Sequence, residues 1–364
     1  MLGSTKAFGR RLLAWYDRSR RDLPWRVCPP GSAGPDPYFV LVSEAMLQQT
    51  QVVTVIPYFK RFIARFGSMA DLAGASEQEV LRLWQGLGYY SRARNLRAAA
   101  QMVMTEFGGQ LPPTVEELLQ LPGVGRYTAG AIASIALGVR APILDGNVER
   151  VLCRLDRVES DPRATATRAE LWRRAEEIMP ASRVGEFNSA LMELGATICV
   201  PRSPQCLICP VRQNCAAREA GVSDQVPVRR KAKPTPLLHR HIFCIRRGRR
   251  WLIEQRPSHG RWAGLWQFVT LQAAAATDVP DPRALPVPVS SPVRLGSVNH
   301  ALTHRRYDFA VFQCEALPDA TIRKQGGGAG EPARTWVTLG DLSEYPLPRP
   351  HVKVAHLLTS LHPA

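Results

Sequence analysis

Four of the eight cysteines in this chain fall within seventeen residues, and no other feature limits its fold so sharply. The run CVPRSPQCLICPVRQNC sets Cys199, Cys206, Cys209 and Cys215 at C-x6-C-x2-C-x5-C, so four thiolates can converge on one centre with little loop-closure cost. Tetrahedral zinc and an iron-sulfur cubane both accept such a set. Structural zinc usually takes two close pairs, whereas here one close pair is flanked by wider gaps. The remaining cysteines, Cys28, Cys153, Cys244 and Cys314, are scattered and read mostly as buried core thiols.

A chain of 364 residues predicts two domains, each able to bury a core of its own. The formal net charge of +16 favours an acidic partner, and nucleic acid is the commonest large one. No apolar run approaches the roughly 20 residues needed to cross a bilayer. The expectation is therefore a soluble, intracellular protein with no membrane partner, a monomer, cytoplasmic and nucleoid-associated if bacterial.

Apolar residues recur at helical spacing from Ala7 to about Cys215, which predicts an all-α region. Pro57 is expected to open one helix, Ser76 with Glu79 and Thr114 with Glu117 form capping boxes, and Gly108 and Gly109 close another helix. The segment VPVRRKAKPTP mixes prolines and cations that cannot pack. The predicted domains are residues 1–225, including the cysteine loop 199–215, then a linker over 226–238, then residues 239–364. In the last of these, HIFCIRRGRRWLIEQR and RRYDFAVFQCEAL read as strands, while Val279 to Pro292 and Gly326 to Gly328 read as loops. The fold class is multidomain, an all-α region with a metal loop followed by an α+β domain.

In LPGVGRYTAGAIASIALG, Gly123, Val124 and Gly125 make a tight turn before an apolar helix, leaving backbone N–H groups that can hold a phosphate. About twenty residues on, Asp145 in ILDGNVERVL precedes a helix, where an aspartate is ordinarily an N-cap. These two runs, then FNSALMELG and the cysteine loop, resemble in that order the helix-hairpin-helix DNA glycosylases across residues 8 to 220. RDLPWR at Arg21 to Arg26, SEAMLQQTQV at Ser43 to Val52 and GLGYYSRARNL at Gly86 to Leu96 resemble the MutY-type adenine glycosylases more specifically.

That resemblance implies a [4Fe-4S] cluster on the four cysteines, and double-stranded DNA bearing adenine opposite 8-oxoguanine or guanine as partner. Glycosidic cleavage needs a proton for the leaving base and a negative charge beside the developing oxocarbenium sugar. The resemblance assigns these tasks to Glu44 and Asp145, with Tyr127 and Asn147 lining the pocket and orienting Asp145. Apolar neighbours Ala45, Met46 and Leu47 are expected to raise the pKa of Glu44 toward neutrality. Bifunctional relatives attack the sugar with a lysine where this chain has Tyr127, and no lysine occurs between Lys60 and Lys231. A monofunctional glycosylase is therefore expected.

By the same resemblance Arg26, Gln49, Thr50, Leu87 and Tyr89 serve DNA and lesion recognition, together with the Gly123–Val124–Gly125 turn. Tyr90 reads as packing, and Arg92, Arg94 and Arg97 as phosphate contacts. WLIEQRPSHGRWAGLWQFV resembles a Nudix-like C-terminal domain of this family, but the residues after Val269 lack the clustered glutamates that hydrolysis with magnesium needs. Leu302, Thr303 and His304 fall where the family carries a Phe-Ser-His lesion-reading loop. Ser189 stands where relatives carry a longer residue facing adenine. The alternatives are an endonuclease III-like pyrimidine glycosylase and lyase, disfavoured by Tyr127, and a non-catalytic iron-sulfur DNA-binding protein, disfavoured by the two acids.

Overall fold

The structure is a computed structural model and describes residues 5–32, 34–228, 234–275, 278, 281–302, 305–318, 320–322 and 332–362. The chain forms two compact units, Met1–Gly74 with Asn95–Lys231, and Ala75–Arg94 with Ala232–Ala364. The thirteen helices described are α1 (Thr5–Ser19), α2 (Pro37–Leu47), α3 (Val52–Arg65), α4 (Met69–Gly74), α5 (Glu77–Trp84), α6 (Ser91–Glu106), α7 (Val115–Leu118), α8 (Arg126–Ala131), α9 (Gly146–Leu155), α10 (Thr165–Glu177), α11 (Val184–Thr197), α12 (Ala216–Glu219) and α13 (Arg349–Leu361).

In the first unit, α1, α9 and α11 share a core because each carries an apolar stripe at helical spacing. Phe8, Leu12 and Tyr16 of α1 meet Val148, Val151 and Leu152 of α9 and Phe187, Leu191 and Leu194 of α11, all buried. The expected caps are present: the side chains of Ser76 and Thr114 accept from the backbone N–H of Glu79 and Glu117. Gly108 and Gly109 follow α6 at φ of +62° and +84°. Pro57, by contrast, lies inside α3, whose N-cap is Gln51. Val55, Phe59 and Phe62 form one buried stripe running through the proline, and their burial outweighs the hydrogen bond that it removes.

Val226 is buried with the first unit's core, so the packed chain reaches one residue into the stretch expected as linker. The second unit holds a six-stranded mixed sheet of β1 (Leu237–Arg247), β2 (Arg250–Gln255), β3 (Trp266–Ala273), β4 (Val293–Leu302), β5 (Arg305–Glu315) and β6 (Arg334–Val337). Their order is β4-β5-β1-β3-β2-β6, with β1 and β5 parallel and the other neighbours antiparallel. Strand alternation sends Ile242, Trp251, Ile253, Phe268 and Phe309 to one face, where Val354 and Leu358 of α13 cover them. Phe243, Ile245, Leu252 and Val269 point the other way, against Leu285 and Val287. Cys153, Cys244 and Cys314 are buried as expected and Cys28 is exposed.

Candidate active site

Helix α2 is apolar on all sides, and its one carboxylate, Glu44, is only 5% exposed. Asp36 caps the helix by accepting from the Tyr38 N–H, and Pro37 fits its first turn. Burial, the largest influence, pushes the Glu44 pKa up to about 7. A hydrogen bond with Tyr127 opposes that rise, nearby Asp145 adds to it, and the Arg26 cation draws it back.

Tyr127 is the second residue of α8 and follows the hairpin turn. Gly123 adopts φ of +78°, and a Cβ there would stand 2.7 Å from the Cβ of Asn95, so glycine is required twice over. Gly125 is the N-cap of α8 and Val124 is buried. The Tyr127 hydroxyl lies 3.2 Å from the Met192 sulfur, and burial beside two carboxylates holds its pKa well above the ordinary value.

Asp145 caps α9, as its sequence setting suggested, but both of its oxygens are engaged. Oδ1 accepts from the Val148 N–H at 2.7 Å and Oδ2 from the Asn147 side-chain amide at 2.9 Å. Burial raises its pKa, while these bonds and Arg150 restrain the rise. Arg150 extends the chain of contacts, donating to Asn147 Oδ1 at 2.8 Å, to the Gly195 carbonyl at 2.6 Å and to the Cys199 carbonyl at 2.7 Å. Any Cβ on Gly195 would fall 2.6 Å from the Cβ of Asn147, so this close approach of α9 to α11 needs glycine.

Across from Glu44, α11 contributes Ser189, Met192 and Glu193 to the cleft wall. The Glu193 side chain is fully buried and accepts from Arg21 Nε at 2.6 Å, Arg21 Nη2 at 3.1 Å and Arg26 Nη2 at 2.8 Å. Burial works against its charge, but the two guanidinium groups outweigh it and hold its pKa below the ordinary value. Glu44, Tyr127, Asp145, Asn147, Ser189 and Glu193 all border one cleft of about 900 Å³, a size suited to a bound small group.

Gln49 and Thr50 line the same cleft, with Gln49 exposed at φ of +57°. Arg26 also lines it, but its guanidinium is committed to Glu193 and to the Arg21 carbonyl. Leu87 and Tyr89 belong to the other compact unit, where Leu87 is buried and Tyr89 is 39% exposed. Thr303 and His304 lie outside the described residues. Tyr90 is buried as expected. Arg92 is not a surface phosphate contact: it is 8% exposed and donates to the carbonyls of Leu87 and Gly88, and Arg94 donates to the Ala263 carbonyl. Sequence reasoning assigned no role to Arg21, Arg150 or Glu193. Glu193 carried the same signal as Glu44, an acid inside an apolar helical run.

The four cysteines of the loop line one small cavity with Arg154. Arg154 is almost fully buried and donates to Cys199 Sγ at 3.3 Å and to the carbonyls of Val200 and Val226. Among the described residues no three Cys, His, Asp or Glu side chains are drawn together tightly enough to hold a single metal ion.

Residues 42–177 match the family model described as HhH-GPD superfamily base excision DNA repair protein, and residues 241–357 match that of the NUDIX domain. The human adenine DNA glycosylase is 38% identical over 362 residues, 84% of this chain and 66% of that protein, so the chain spans about two thirds of its length. The enzyme of Buchnera aphidicola (strain APS) is 36% identical over 72% of this chain and 73% of its own. Among solved structures, a thermostable thymine-DNA glycosylase superposes at TM-score 0.53 with 30% identity, covering 59% of this chain and 97% of that one. A trapped endonuclease III–DNA covalent intermediate superposes at 0.50 with 24% identity, over 60% of this chain and 99% of that one, a likeness of fold. Since the mouse adenine DNA glycosylase is 38% identical over 91% of this chain and 74% of its own length, the chain belongs to the adenine DNA glycosylase family of base-excision repair enzymes.

Proposed function

We propose that this protein hydrolyses the N-glycosidic bond of adenine paired with 8-oxoguanine or guanine in duplex DNA, as a monomer and without strand cleavage. The observation that carries the reading is the unequal pair of acids at one cleft, Glu44 with its pKa pushed up to about 7 and Asp145 held by an amide and a backbone N–H. Glu44 delivers its proton to the five-membered ring of adenine. The bond from C1′ to the base then breaks, and its electron pair leaves with the neutral purine. The Asp145 carboxylate faces the positive charge left on the sugar, water adds at C1′, and the proton it sheds returns to a carboxylate of the pair. Tyr127 offers no amine for a Schiff base, and arginine is too basic to serve as one. That supports the monofunctional reading.

The cysteine loop suits a [4Fe-4S] cluster held by Cys199, Cys206, Cys209 and Cys215. A zinc ion bound at 2.3 Å would draw its sulfurs to within about 3.8 Å of one another, whereas a cubane holds them further apart around a larger centre. One small cavity is lined by all four cysteines, which supports a shared centre, and the spacing of the loop favours the larger group over zinc. When bound, the cluster supplies four fixed iron–sulfur bonds that hold the loop in one shape. Arg154 steadies Cys199 beside it.

Duplexes carrying adenine opposite 8-oxoguanine, guanine or thymine, each compared with and without alkali, test the reading. Nicking of the adenine strand only after alkali, fastest opposite 8-oxoguanine, is expected. Nicking without alkali, or a covalent complex trapped by borohydride, would reject the monofunctional part. Iron removal is expected to abolish the visible absorbance of the cluster together with duplex binding.

A further inference from the structure

Residues 75–94 leave and rejoin the helical unit in sequence, and lie within the matched base-excision repair region, yet they pack with the C-terminal unit. The grip is specific. Gln78 donates to the Gly264 carbonyl at 3.1 Å and accepts from the Trp266 indole N–H at 3.2 Å, so both ends of one amide are used. Gln85 accepts from the Leu347 N–H at 3.0 Å, and Arg94 donates to the Ala263 carbonyl at 2.7 Å. Arg82 pairs with Glu344 at the surface, where such a pair contributes little. Gly264 has φ of +73°, and a Cβ there would stand 3.0 Å from Glu77 Oε1 and 3.6 Å from Leu81. The 263–264 turn therefore sits directly against α5.

What α5 leads into is a loop that does not hold itself by regular structure. Gly86, Gly88 and Tyr89 have φ of +102°, +76° and +49° in close succession, and the last is a conformation unfavourable for a tyrosine. The loop is pinned from within the same unit. Trp84 donates to the Gly88 carbonyl at 3.1 Å, and so does Arg92, also at 3.1 Å, with its guanidinium over both the Trp84 and Tyr89 rings. The result is Tyr89 exposed on a fixed, strained turn.

We infer that the C-terminal domain acts on lesion recognition through this segment, gripping Gln78 and Gln85 of the α5 region so that the 86–89 turn presents Tyr89 in the one conformation that engages the mispair. Gln78 and Gln85 are thus positioning residues for specificity, acting through Tyr89. The inference rests on the proposed function, because it needs an enzyme that discriminates the base opposite adenine.

The test uses the full chain with its cluster and duplexes containing a 2′-fluorinated adenosine that resists excision, placed opposite 8-oxoguanine or thymine. The measured quantity is the ratio of the two affinities. The Gln78→Ala, Gln85→Ala double variant is expected to lower that ratio by about tenfold, the low end of what the three lost hydrogen bonds contribute. Tyr89→Ser is expected to lower it comparably, and all three changes together to lower it no further, since they break one chain of action. Single-turnover excision at saturating enzyme should stay near wild type in the double variant, a result that mere unfolding would not give. Should the double variant lose its cooperative melt, Gln78→Glu keeps the acceptor for Trp266, removes the donor to Gly264, and must show part of the same loss. Independent, multiplying losses, or an unchanged ratio, would overturn the inference. A wild-type protein with no preference for 8-oxoguanine would instead sink the reading of function.

Discussion

The two walls of the cleft each bury a glutamate, and they treat it in opposite ways. On α2, Glu44 has a hydroxyl as its close partner and only one distant-acting cation, so burial wins and the carboxyl keeps its proton until about pH 7. On α11, Glu193 is buried at least as deeply but receives three bonds from two arginines, so it stays an anion. Burial alone does not decide what a carboxyl group can do. Its partners decide whether it is a stored proton or a fixed charge. Stored protons suit catalysis and weaken the fold above the carboxylate's ordinary pKa, whereas the guanidinium-clamped charge holds α11 to the RDLPWR segment.

Exchanging each glutamate for its amide separates these roles, and the larger effect belongs to Glu44. Glu44→Gln removes the proton donor, and single-turnover excision of adenine is expected to fall by about a thousandfold or more. Stability should move the other way. Because the folded pKa of Glu44 lies above its unfolded value of 4.5, the folded state binds the extra proton between pH 4.5 and about 7, and stability drops as pH rises through that window. The amide escapes this loss, so the variant should gain on the order of 3 kcal/mol over wild type at pH 8 and little at pH 4. Excision that survives the substitution, or a variant less stable at pH 8, would break the contrast.

Glu193→Gln should behave as its mirror image. Two guanidinium groups lose their anion in a confined site, and a destabilisation of about 3 kcal/mol is expected in denaturant unfolding at pH 7. With a folded pKa below the unfolded one, Glu193 contributes stability above pH 4.5 that disappears as pH falls through the lower folded value. The deficit of the amide variant should accordingly shrink in acid. A deficit that stays constant as the pH is lowered from 4.5 through the acid range would mean that packing, not charge, makes the site.

Much of this cleft was legible in sequence, for reasons that differ between residues. Glu44 and Asp145 sit in long runs whose spacing carries information, and both the N-cap role of Asp145 and its Asn147 partner are legible there. The cysteines were legible because their ligand spacing is local. Arg21 and Glu193 meet across 172 positions, and no short pattern encodes such a pair. The same holds for Gln78 and Gln85, whose hydrogen bonds reach residues 264 and 347 and carry α5 into a unit that its neighbours in sequence do not join. Arg92 misled because a basic residue in a basic chain reads as surface, when its partners are carbonyls of its own turn. Pro57 misled because a local preference for the first helical turn gave way to an apolar stripe on both sides of it.

The smallest expected effect tests the balance at Glu44 most directly. If a protonated Glu44 is needed for excision, the single-turnover rate falls as pH rises past about 7, the point where the stored proton is lost. The Tyr127 hydroxyl favours the charged form of Glu44 by hydrogen bonding to it, and so holds this pKa below where burial alone would set it. Tyr127→Phe removes that bond, keeps the ring, and leaves Asp145 with its own partners. The falling limb should therefore move to higher pH, by up to about one unit, with the rate at pH 6 reduced only modestly. A limb that moves to lower pH would show the hydroxyl stabilising the neutral acid. A limb that does not move would show that the ionisation controlling the rate belongs to another group, and the difference between the two walls would then be one of stability alone.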